Sequence, residues 1–123
     1  TAPHAVSYPF TSIYNISHGH AVSLTINKFF RFNFENLEIA KSDFNLKTRF
    51  ETIFDISKSE NINSFDKYLT NLKKEANLEN DYAKLGININ NDYSKIISEV
   101  NLLRLANNPV ELKKEDLKKI IQS

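Results

Sequence analysis

The chain contains no cysteine, an absence that removes disulfides, thiolate metal sites and a cysteine nucleophile from consideration. Glycine is nearly as scarce. Only Gly19 and Gly86 occur, too few for a phosphate-cradling loop of the G-x-G-x-x-G or Walker type. A nucleotide-binding unit is therefore expected to lie outside these residues. No apolar run approaches the roughly 20 residues of a membrane span. No basic segment precedes an apolar stretch in the manner of a signal peptide. Charge of one sign is missing too: the net charge is +1, which leaves no electrostatic footprint for nucleic acid or an acidic membrane surface. These absences fit a cytoplasmic protein with neither nucleic acid nor membrane as a partner. Asn15-Ile16-Ser17 is formally a glycosylation acceptor, but no secretory signal accompanies it.

What is present suits one compact domain. A chain of 123 residues, 41% hydrophobic and 25% charged, has an ordinary globular composition. At this length it buries roughly two-thirds of its unfolded surface. The first residue is Thr1 rather than Met, as expected of a piece of a longer protein. No repeat divides the chain.

Helical periodicity dominates and no strand alternation emerges, which predicts an all-α fold of five or six helices around a buried central helix. The segment from Pro3 to Tyr14 reads as a short helix that Pro9 would distort beyond its first turn. Asn15-Ile16-Ser17 reads as a turn. From Gly19 to Phe32, apolar side chains surround most of the helix, and an all-round apolar helix is one enclosed by neighbours. Val22, Ile26, Phe29 and Phe30 are accordingly expected among the most buried residues. Later faces carry Leu46, Phe50, Ile53 and Phe54, then Phe65, Tyr68, Leu69, Leu72 and Ala76 with Ser64 as N-cap. Gly86 marks a break, with a left-handed conformation expected. Tyr93, Ile96, Ile97, Val100 and Leu103 share one helix, capped by Asn91 or Asp92 and ended at Asn107-Asn108-Pro109. A short amphipathic helix with Leu117, Ile120 and Ile121 closes the chain. The paired lysines 73–74, 113–114 and 118–119 read as solvated polar faces.

The histidines are the unusual feature. All three, His4, His18 and His20, fall within seventeen residues near the N-terminus. Imidazole is the commonest metal-binding side chain. His4 and His18 would stand about 21 Å apart along one straight helix. They can share an ion only if the chain reverses at Asn15-Ile16-Ser17, so the spacing permits a metal site without requiring one. Three histidines on a polar surface fit the spacing as well. His20, two residues beyond His18, points elsewhere on a helix. Ser7, Ser12 and Ser17 lie close by, but no strained Gly-x-Ser-x-Gly elbow presents a nucleophile.

The stretch APHAVSYPFTSIYNISHGHAVSLT resembles the second signature of the iron-containing alcohol dehydrogenases. That signature has a histidine, a stretch of small residues, an apolar residue, any residue, and His-Gly. Here these are His4, the Ser7, Thr11 and Ser12 positions, then Ile16, Ser17, His18 and Gly19. The ending LLRLANNPVELKKEDLKKII is similar to the family's closing Asn-Pro and last helix.

The resemblance implies a two-domain oxidoreductase. An α/β domain binds the nicotinamide cofactor, NAD or NADP, and an all-helical domain carries a divalent metal, iron expected ahead of zinc. The chain as a whole, residues 1–123, would be the later portion of that helical domain, with the cofactor domain outside it. Of the four ligands in that family, one Asp and three His, His4 and His18 match the third and fourth. The earlier Asp-x-x-x-His is not in this chain. Half a metal site is therefore implied, and these residues alone are expected to be inactive and prone to self-association as a homo-oligomer. Tyr8 matches a position where many relatives have a histidine facing cofactor and substrate. That makes it a candidate catalytic residue, or equally a core aromatic with a satisfied hydroxyl. His20 is a candidate for the substrate pocket, and Gly19 for a close backbone approach to the metal. The implied reaction interconverts a small alcohol and its aldehyde. Two other readings stand beside it: a zinc-dependent enzyme of the dehydroquinate synthase or glycerol dehydrogenase type, and a free-standing helical interaction module.

Overall fold

The computed structural model describes all of residues 1–123 and contains helices without a single strand. Seven α-helices occur: α1 Ala2–Tyr14, α2 His18–Glu35, α3 Leu46–Ser57, α4 Ile62–Glu75, α5 Ile89–Ser98, α6 Leu102–Leu105 and α7 Lys114–Gln122. A single 3-10 turn, Leu37–Ile39, follows α2. No helix is long and apolar enough to cross a membrane. The count exceeds five or six because the helix expected through Leu103 is broken at Glu99–Asn101. There the Asn101 side chain accepts from the Arg104 amide at 3.1 Å and starts a new turn. The break rotates the register. Leu103 is 84% exposed, and Leu105 takes its place in the core.

Helix α1 continues past Pro9, which is itself buried. An interior proline costs a helix about 3 kcal/mol. Burial of Ala5, Val6 and Phe10 on the same helix offsets that cost. At its end Asn15 adopts the left-handed conformation, φ 53°, one of the few non-glycine residues that do so readily. The Asn15 and Ile16 amides then close on the Thr11 and Phe10 carbonyls. Ile16 is buried in the reversal, and α2 runs back along α1.

Helix α2 is central, since it packs on α1, α4 and α7 and joins two apolar clusters. The larger cluster unites α1, the Ala21, Leu24 and Phe29 face of α2, Ile87, and α5 to α7. The smaller one is aromatic. Phe30 meets Phe65 edge-on at 5.3 Å, and Phe34 meets Phe50 and Phe54 at 5.3 and 5.4 Å. Burial on α2 follows a stripe of Ala21, Leu24, Thr25 and Phe29. Val22, Ile26 and Phe30 are only half-buried, against expectation. Their stripe borders two open apolar grooves, one beside His4 and one against α4.

The caps also moved by a few residues. Asn61 caps α4 by accepting from the Asn63 and Ser64 amides at 3.0 Å, while Ser64 completes a reciprocal box three residues later. Asn88, not Asn91 or Asp92, caps α5. Gly86 is left-handed as expected, φ 75°. Past α6, Asn108 exchanges two amide hydrogen bonds with Asn33 of α2, at 2.7 and 3.0 Å. That pair ties the returning chain to the central helix.

Phe29 is 1% exposed, so Phe29→Ala is expected to cost about 3–5 kcal/mol in chemical unfolding. Ile26→Ala, on the half-open stripe, should cost well under half of that. A second prediction concerns alkaline pH. Burial first, and the charge of Lys73 second, bring Lys28 from 10.5 down to about 8. The unfolded chain therefore holds more protons between those values, and stability should rise with pH from about 8 towards 10. Tyr14, raised to about 12 by burial and then by its bond to Asp92, works in the opposite sense. Above pH 10 the folded state keeps a phenolic proton that the unfolded chain loses, so stability should fall. Urea midpoints across this range check both limbs, and Lys28→Met should flatten the first.

Candidate metal centre

The reversal at Asn15 sets the first turn of α1 beside the first turn of α2, and His4 and His18 face one another there. Their ring centroids are 5.5 Å apart with the planes inclined by 49°. Tyr8, one turn beyond His4, places its ring 5.8 Å from that of His18. Three side chains named from the sequence thus share one face. The fourth does not join them. His20 Nε2 donates to the Glu79 carbonyl at 2.6 Å and ties α2 to the loop after α4. Gly19 lies in the first turn of α2, and no atom of the chain stands within 4 Å of the place its Cβ would occupy.

Each imidazole of the pair has a hydroxyl at Nδ1: Thr1 Oγ1 at 2.9 Å from His4, and Ser7 Oγ at 3.4 Å from His18. Ser7 is fully buried, and its one proton is already given to the His4 carbonyl at 2.8 Å. Its oxygen can therefore only accept from His18, which places the His18 proton on Nδ1. The Nε2 lone pair is left free, and neither histidine uses Nε2 in any hydrogen bond within the chain. A ring held at one nitrogen and open at the other is how metal-binding imidazoles are oriented. The pair fits a divalent ion as two neutral donors. No third His, Cys, Asp or Glu stands with them to complete a group of three.

Tyr8 is not a core aromatic. It is 41% exposed, and its oxygen accepts from Arg104 Nη1. A guanidinium cannot accept, so the phenolic proton of Tyr8 remains uncommitted. Arg104 did not stand out in the sequence, and the part Ser7 plays did not either. Ser7 was visible as a neighbour of the histidines, but its place against His18 depends on the chain reversal. Arg104 is ninety-six residues from Tyr8, and no local pattern signals that contact.

The hydroxyl assignment has a direct consequence. At about pH 8, where imidazole is neutral, nitrogen-15 spectra should show His18 protonated at Nδ1 with Nε2 bare. Ser7→Ala should release the ring into a mixture of both tautomers. A His18 spectrum unchanged by that substitution would remove Ser7 from the site.

No curated protein and no solved structure matches this chain. The model of the Fe-containing alcohol dehydrogenase family, C-terminal, matches it over residues 1–123. This match agrees with the all-helical architecture and with the segment from His4 to Gly19 that forms the paired-histidine face. The chain therefore belongs to the iron-containing alcohol dehydrogenase family, as a C-terminal portion of it.

Proposed function

We propose that the complete protein is a metal- and NAD(P)-dependent alcohol dehydrogenase or aldehyde reductase, with His4 and His18 as two of its metal ligands. The observation that carries this reading is the facing imidazole pair, 5.5 Å between centroids, with both Nε2 atoms free. A divalent ion held by His4 and His18 would supply Lewis acidity, which would favour loss of the hydroxyl proton in one direction and polarise the carbonyl in the other. The remaining ligands and the nicotinamide site are assigned to segments outside these residues. The reaction balances as alcohol plus NAD(P)⁺ giving aldehyde, NAD(P)H and a proton. The two electrons leave the carbon as hydride.

Within this reading the chain's residues have separate tasks. Thr1 and Ser7 hold the two rings through Nδ1 and leave both Nε2 atoms free for an ion. Tyr8, beside His18 with its proton free, faces the substrate oxygen and donates to it, which makes it the catalytic candidate of this chain. Iron and zinc both accept imidazole, and family membership favours iron.

In the full-length protein, His4→Ala and His18→Ala should each abolish bound metal, measured by elemental analysis. Nicotinamide-dependent alcohol oxidation should fall by more than about 100-fold, beyond the loss typical of a supporting residue. Retention of metal and turnover by either variant would refute the assignment.

A further inference from the structure

We propose that Arg104 binds an oxyanion on the substrate, so that the preferred alcohols and aldehydes carry a carboxylate or phosphate-type group. The inference rests on the dehydrogenase reading above and narrows its substrate class. Its basis is the placement of one unpaired guanidinium at the edge of the histidine face.

Arg104 lies on α6, a single turn fixed from both sides. Asn101 caps it, and Leu105 anchors it in the core. α6 packs against α1, which brings Arg104 Cζ to 5.0 Å from the centroid of the Tyr8 ring. Its Nη1 donates to the Tyr8 hydroxyl. The order across this face is therefore His4, His18, Tyr8, Arg104, each side chain against the next.

The charge of Arg104 is not spent within the chain. The ion pairs of the protein involve Arg31 and Lys84, and none involves Arg104. Glu99 stands one turn further along α1, where it accepts from Ser12 at 2.7 Å and makes no ion pair with Arg104. Of the five guanidinium donors, one is used by Tyr8. A guanidinium steadied on an aromatic ring is already oriented, so it loses less freedom when it closes on an anion. Its planar fork matches a carboxylate or phosphate with two parallel hydrogen bonds. Exposed Leu102 and Leu103 precede it on the same turn. A short substrate whose reacting carbon sits at the histidines would reach this fork across Tyr8.

The test uses the full-length protein with three aldehydes: succinic semialdehyde, glycolaldehyde phosphate, and pentanal as the neutral control. kcat/KM should be about 10- to 100-fold higher for at least one anionic aldehyde than for pentanal. Whichever anion is favoured identifies the oxyanion. Arg104→Ala should collapse that preference, chiefly through KM for the anionic substrate. Arg104→Lys should restore part of it, because the charge returns without the fork. Wild-type protein that reduces pentanal as well as both anionic aldehydes overturns the inference and leaves the dehydrogenase reading standing. So does an Arg104→Ala variant with an unchanged preference. Absence of turnover with all three overturns both.

Discussion

The packing of α1 on α2, hinged at Asn15, is the constraint on which the rest of this structure depends. Two histidines fourteen positions apart meet only because the chain reverses between them. That reversal needs a residue that tolerates the left-handed region, and Asn15 supplies it at φ 53°. It also needs an anchor, which is the buried side chain of Ile16. Ala2, Ala5 and Ala21 are fully buried at this interface, and their small side chains let the two helices approach closely. Close approach then places Ser7 of one helix beside His18 of the other.

The polar and apolar parts of this arrangement are coupled. A fully buried hydroxyl such as that of Ser7 is tolerable only when hydrogen-bonded. It meets that demand twice, by giving its proton to the His4 carbonyl and presenting its oxygen to His18. Satisfying the core therefore orients the ligand. Beside this face, α2 leaves the stripe of Val22 and Ile26 half-open, bordering a groove of about 240 Å³ that His4 also lines. Helix α2 is thus closed on the side that builds the fold and open on the side that borders the histidines.

The two apolar clusters divide the labour. The aromatic group of α3 and α4 packs on the far half of α2. The larger cluster holds α1, α5, α6 and α7 around Ala21, Leu24 and Phe29 of the same helix. Contacts between distant segments join them to the site: Tyr14 to Asp92 at 2.7 Å, Asn33 to Asn108, and Arg104 to Tyr8. Through these the last third of the chain supports, and borders, a face whose histidines lie entirely in the first twenty residues.

The sequence by itself determined the helical class, the turn at Asn15-Ile16-Ser17, and the family. Each of these is written in local order: apolar spacing, a turn tripeptide, and a signature within one short stretch. It also marked the left-handed Gly86 and the final amphipathic helix with Leu117, Ile120 and Ile121, all buried. Local order misled where two local solutions compete. Asn61 and Ser64 can both cap α4, and Asn88 and Asn91 can both cap α5; the structure uses Asn61 and Asn88. Apolar periodicity ran through Asn101 and placed Leu103 in the core, although the cap at Asn101 turns it to solvent. Only the tertiary structure decided that α2 is buried along one stripe, that Ser7 holds His18, and that Arg104 stands over Tyr8. The physical reason is that burial and side-chain partnership are relations between segments. Their free energy depends on which surfaces the fold brings together, and no spacing along the chain encodes that.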